Sequence, residues 1–176
     1  MDALVKISTL TPAAYGRAVD DLGLLLHHCV EAGAPVGFMW PFSIAEAQRY
    51  FEELTPAVNA GKRIVMVAEL ERRIVGAMQL DLDLPPSQSH RAGGRKLLVH
   101  ASARHRGIGT ALMYAMENEA RKAGRTLVDF VALAGGGPER LYLSIGYKIA
   151  GVIPDCDHLP DGTLCSASVL YKHLSE

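Results

Sequence analysis

Apolar and polar positions along the chain alternate in two rhythms, and the changes between them mark out a single run of elements. "LVKIST", Leu4 to Thr9, alternates as a strand does and ends at Thr11-Pro12, a helix-start signal. From there to Glu31 the apolar residues fall at helical spacing, and Gly33 closes the segment. "VGFMWPF" is apolar and aromatic but broken by Gly37 and Pro41. Ser43 with Glu46 then reads as a capping box that opens a helix toward Asn59, with Gly61 as its stop.

Two strands follow, "RIVMVAEL" and "RIVGAMQLDL", joined through "ERR" as a hairpin. Pro85-Pro86 through Gly94 is predicted as a loop, and "RKLLV" as a short strand. Gly107 to Lys122 is predicted helical. Ile108, Leu112, Ala115, Met116 and Ala120 form its apolar face and Glu117, Asn118, Arg121 and Lys122 its polar one, and Gly124 ends it. "TLVDFVAL" reads as a strand buried on both faces. A triple glycine and Pro138 lead into a short helix ending at Ile145, and "YKIAGVI" and "SASVLYKHL" complete the sheet. No repeat or composition break divides residues 1–176, so one α/β domain is expected.

Composition narrows the function classes. With 49% hydrophobic and 21% charged residues the chain is globular, and a net charge of -1 gives no global pull toward nucleic acid or a membrane surface. No apolar run reaches the roughly 18 residues of a membrane span. The N-terminus lacks the basic and apolar blocks of a secretory signal. Cys29, Cys156 and Cys165 are an odd set without paired spacing, as expected of reduced thiols in a cytoplasmic protein. Cys156, His158 and Cys165 do not match a standard zinc spacing, and adjacent His27 and His28 point to different helix faces, so no metal is expected.

The chemistry concentrates in "HASARHRGIG", His100 to Gly109. A P-loop needs Gly-Lys-Ser/Thr, which the chain lacks after any strand. The dinucleotide fingerprint fails at Leu112, and seven residues separate the strand from the first glycine. What is satisfied is R-x-x-G-x-G, by Arg104, Gly107 and Gly109. Glycines there let the backbone curl until consecutive N–H groups point at one anion, and the free amides of a helix start add to the same site. Arg104 and Arg106 can add charge-assisted hydrogen bonds to a diphosphate. The plainer alternative is a glycine-rich helix start with solvated arginines.

"LLVHASARHRGIGTALM" resembles the acetyl-CoA loop of the GCN5-related N-acetyltransferase (GNAT) superfamily. The resemblance implies that the backbone of Leu97, Leu98 and Val99 binds the pantetheine arm. It assigns the pyrophosphate to Arg104, His105, Arg106, Gly107, Ile108, Gly109 and Thr110. Ala101 stands where the family often has proline, and His105 replaces a common glycine. About 35 residues past Gly107, "LYLSIGYKIAG" is similar to the family's Tyr-x-x-x-Gly-Phe/Tyr stretch through Tyr142, Gly146 and Tyr147. This implies that Tyr142 protonates the departing thiolate, while Tyr147 fits the core. "GAPVGFM", "RKLLVHASARHRGIG" and "PDGTLCSASVLYKHL" together resemble the tabtoxin-resistance-type acetyltransferases.

The resemblance implies a mixed, mostly antiparallel sheet flanked by helices, in which "RKLLV" and "TLVDFVAL" are parallel and splay apart. It implies acetyl-CoA as co-substrate, a small amino-acid-like or antibiotic-like amine as partner, and a homodimer as the candidate assembly. A catalytically silent acetyl-CoA-binding module is the alternative, and a nucleotide-binding protein a second. The base is the weak link. Many relatives carry an acid near the strand that here reads "AGGRKLLV", where Gly93 and Gly94 stand. Asp81, Asp83 and His90 are the substitute candidates, beside Asp129 and a water relay. "VGFMW" is expected either to line the acceptor pocket or to join the core.

Overall fold

A computed structural model describes residues 4–174. In chain order the elements are β1 (Lys6–Thr9), α1 (Pro12–Glu31), α2 (Ile44–Asn59), β2 (Arg63–Leu70), β3 (Arg73–Asp81), β4 (Arg91–Val99), α3 (Ile108–Lys122), β5 (Leu127–Leu133), α4 (Gly137–Ser144), β6 (Lys148–His158) and β7 (Leu164–His173). Local caps set the helix starts. Thr11 accepts from the Ala14 amide at 3.2 Å, and Ser43 and Glu46 cap one another reciprocally.

The strands form one seven-stranded sheet in the order β1-β2-β3-β4-β5-β7-β6, antiparallel except for β4 against β5. Alternation along β2 and β3 sorts the core into two layers. Met66, Ala68, Met78 and Leu80 pack with Leu112, Met113 and Met116 of α3, while Val65, Val67 and Ala77 pack with α1 and α2. This is the mixed sheet flanked by helices that the resemblance implies.

Two expectations need correcting. The predicted loop through Gly94 is partly strand, because β4 begins at Arg91. Gly94 sits in the ladder, where an added Cβ would lie 3.0 Å from Phe130 Cδ1 and 3.1 Å from Met78 Cε. Glu117, expected on the polar face of α3, is 1% exposed, because Lys172 of β7 reaches it at 2.7 Å.

Candidate functional site

The β4–β5 ladder is arrested. Arg91, Ala92 and Gly93 pair with Leu127, Val128 and Asp129, and there the register ends. Beyond it the C-terminal half of β4 faces the C-terminal half of β5 across a gap. Val131 on the gap side of the arrest is 58% exposed, unlike the expected doubly buried strand. His100 N donates to Val75 O at 2.8 Å, so by antiparallel alternation the neighbouring Val99 amide and carbonyl face away from β3, toward the gap. The Val99 carbonyl oxygen accepts from Arg104 Nε at 3.4 Å and from Cys29 Sγ at 3.7 Å. Burial pushes the Cys29 thiol up to about 11, with Arg104 and the Val99 contact opposing.

From β4 the chain makes a single turn at Ala101–Ala103, stapled by Ser102 N to His100 Nδ1 at 3.3 Å, and it does so without the family's proline. His105 and Gly107 take positive φ, 60° and 74°, which curls the backbone into the first turn of α3. Gly107 O is met first by the Ala111 amide, so the amides of Ile108, Gly109 and Thr110 project from the helix start. They share that end with Arg104 and Arg106, an arrangement suited to an anion.

A roof lies over the gap. The segment from Pro35 to Phe42 crosses between α1 and α2, and Trp40 N donates to Pro160 O in the β6–β7 connection at 2.8 Å. Pro35 lines a small cleft with Val131, Leu133, Asp157 and Cys165. Phe38, Met39, Pro41, Phe42 and Tyr50 line a larger cavity of about 480 Å³. Within "VGFMW", Val36 and Phe38 pack against the core beneath α1 and α2, and Phe38 with Met39 lines this cavity.

Beneath the roof is a residue that the pattern of "RKLLV" does not single out. β4 bulges opposite Met78, where Gln79 faces Arg95 and Ala77 faces Leu98, and Lys96 takes φ 50°. Its Nζ donates to Val36 O and stands 5.0 Å from the Phe38 ring centre and 5.7 Å from that of Tyr50. Burial, then Arg95, and also Arg63 hold the lysine below its ordinary range, and Asp157 opposes them. Next to it runs a polar chain: Tyr50 Oη donates to Gln79 Oε1 at 3.2 Å, as does Arg63 Nη1 at 3.0 Å, and Arg63 Nη2 holds Asp81 at 3.1 Å.

The sequence candidates distribute unevenly around this gap. Asp81 lies opposite Gly93, half-buried under Arg63, with Arg95 at 3.9 Å. Asp83 pairs with Lys62 on the surface at 3.0 Å, and the His90 carbonyl receives the Thr126 amide, both at the closed end of the β4–β5 pair. Asp129 is bound by Arg91 at the arrest itself. Tyr142 packs edge-on against Phe130, ring centres 4.4 Å apart, in the same core as Ala103 and Ile108. Burial lifts its hydroxyl well above the usual phenol range, so it holds its proton throughout working pH. Tyr147, 3% exposed, is core. Among the described residues no cluster of three or more His, Cys, Asp or Glu could hold a metal, and no helix is long and apolar enough to cross a membrane.

A family model described as "Acetyltransferase (GNAT) domain" matches residues 61–149, just over half of the chain. Solved structures share the architecture across nearly its whole length. An N-acetyltransferase from Staphylococcus aureus Mu50 has a TM-score of 0.80 at 17% identity, over 98% of this chain and 100% of that one. The yncA protein of Salmonella typhimurium, solved with its cofactor acetyl-CoA, has a TM-score of 0.78 at 16% identity, over 98% and 95%. A ribosomal-protein-alanine N-acetyltransferase from Brucella melitensis has a TM-score of 0.77 at 21% identity, over 96% and 99%. At such identities the likeness speaks for the fold.

Proposed function

The chain belongs to the GNAT acetyltransferase family, and on that premise we propose that it moves the acetyl group of acetyl-CoA onto the primary amine of a small, amino-acid-like or antibiotic-like molecule by direct attack. Bound acetyl-CoA supplies a thioester: a C–N bond forms to the amine as the C–S bond breaks, leaving an amide and the CoA thiol. The observation that carries the reading is the arrested β4–β5 ladder, whose gap runs toward the amide-rich start of α3.

Each part of the chain then has a role. Arg104 to Thr110 hold the diphosphate through projecting amides and the two guanidiniums. The backbone of Leu97 to Val99 binds the pantetheine arm, and the Val99 N–H is free to donate to a carbonyl oxygen in the gap. Tyr142 supplies a proton from Oη to the leaving sulfur. A thiol's pKa near 8.5 lies far below that of the buried Tyr142 hydroxyl, so this proton is needed only as the C–S bond breaks. The Pro35–Phe42 roof holds the acceptor and excludes water.

The rival reading, an acetyl-CoA-binding module without turnover, is favoured by Gly93 and Gly94 standing where many relatives have an acid. Binding is tested first by thermal stabilisation. Acetyl-CoA should raise Tm, ATP and NAD should not, and replacing Arg104 and Gly107 together by alanine should remove the acetyl-CoA effect. Undiminished stabilisation of that double variant would place the cofactor elsewhere.

A further inference from the structure

None of the three aspartates singled out in the sequence stands free beneath the roof. Asp81, Asp83 and Asp129 are each held by a basic side chain, the last two toward the closed end of the strands. The acceptor, which carries an ammonium at neutral pH, still has to lose a proton before it can attack. One nitrogen base is in place. We propose that Lys96 is the proton acceptor for the amine that is acetylated.

Its place in the ladder and its surroundings converge on this role. Its backbone is strained at φ 50°, a conformation that a lysine rarely adopts and that the β4 bulge imposes. That bulge lies past Gly93, in the half of β4 that has left β5. Finally, Gly37, Phe38 and Tyr50, which line the 480 Å³ cavity, also pack against the lysine, so Nζ lies just behind the cavity wall.

Its electrostatic surroundings suit the role. Burial and the like charges of Arg95 on β4 and Arg63 on β2 disfavour the ammonium form of Lys96. Asp157 on β6 favours it, and so do the Phe38 and Tyr50 ring faces. On α2 the exposed Glu46, Arg49 and Glu53 line the cavity, and the roof contributes the Val36 carbonyl. An arriving ammonium is one more like charge, so lysine and substrate cannot easily both stay protonated. The step balances: one proton leaves the acceptor ammonium for the lone pair of Lys96 Nζ, the acceptor attacks with the electron pair so freed, and the second proton that this nitrogen sheds as the amide forms offsets, through solvent, the one that sulfur takes from Tyr142. Lys96 returns the proton to solvent after the amide forms.

This proposal rests on the acetyltransferase reading, and its test separates the two. Lys96→Arg keeps the charge and a donor for Val36 but cannot accept a proton near neutral pH. Lys96→Met keeps only the packing. For an amine that the wild-type protein acetylates, both variants should lose at least about 100-fold in kcat/KM while acetyl-CoA affinity stays within about twofold. The acid limb of the wild-type pH profile should move upward in Lys96→Arg, to the ionisation of the acceptor amine itself. A Lys96→Arg enzyme within threefold of wild type would show that charge and strapping of the roof suffice, and would overturn the proposal. Failure of the wild-type protein to bind acetyl-CoA would instead overturn the functional reading. Competitive labelling of the wild-type protein with acetic anhydride across pH needs neither variant nor acceptor. The Lys96 reactivity curve should rise at lower pH than that of a free lysine amide labelled in the same mixture, and a coincident or later rise would refute the assignment.

Discussion

Gly109 of α3 and Leu141 of α4 meet so closely that a Cβ on the glycine would lie 3.0 Å from Leu141 Cδ1. The loop that opens α3 and the helix that carries Tyr142, about 30 residues apart in sequence, are thereby one packed unit. The obstructing atom is the tip of a flexible side chain. Gly109→Ala should therefore cost no more than about 1 kcal/mol, and Gly109→Val about 1–3 kcal/mol as α4 is displaced. Urea denaturation measures both, and equal values for the two would show that α4 does not constrain this turn.

Tyr142→Phe separates catalysis from packing. Among the described residues the Tyr142 hydroxyl makes no hydrogen bond, while its ring fills the core beside Phe130 and Tyr147. Stability and acetyl-CoA affinity should be nearly unchanged and kcat should fall about 100-fold or more. An unchanged kcat, read under saturating substrates, would remove Tyr142 from the reaction.

Glu117 and Lys172 form a pair whose halves depend on each other. Lys172 Nζ also donates to Ile145 O at 2.8 Å, just before the turn into β6. Lys172→Met leaves a carboxylate that is 1% exposed with Arg121 at 3.5 Å as its remaining cation, and should cost about 1–3 kcal/mol. Adding Glu117→Leu should recover most of that loss, because an apolar pair leaves no buried charge. A double variant as unstable as the single would contradict this, by urea midpoints.

The cysteines differ in reach and in titration. Cys29 is 2% exposed with its thiol raised to about 11 by burial, whereas Cys156 is exposed. Iodoacetamide at pH 8 should modify Cys156 and spare Cys29 in the folded protein, as peptide mapping would read. Cys29 is neutral when folded and ionises more readily when unfolded. Its contribution to stability is therefore full below about pH 9 and lost as pH rises toward 11. Wild-type stability should fall over that window by more than that of Cys29→Ala, and parallel declines would exclude this source.

What is legible in the sequence is what local chemistry decides. Ser43 and Glu46 announce α2 because a capping box is closed within four residues. Arg104, Gly107 and Gly109 announce the turn into α3 because one of its two positive φ angles sits on Gly107, although the other falls on His105. Illegible features depend on groups that arrive from elsewhere. Gly93 and Gly94 read as a loop because glycine ordinarily punctuates, yet here Phe130 and Met78 leave no room for a side chain at Gly94. Glu117 reads as a surface partner of Arg121 until Lys172 comes across from β7. Lys96 looks like an ordinary strand lysine, since a bulge is a property of the ladder between two strands and leaves no mark on one of them.

The central claim is transfer, and one measurement tests it most directly. Thiol release from acetyl-CoA, followed over a panel of amino acids and small primary amines, should be amine-dependent and match acetylated amine one to one by mass spectrometry. Tight binding of acetyl-CoA with no thiol release above the hydrolytic background on any amine would contradict it, and would leave this chain a binding module.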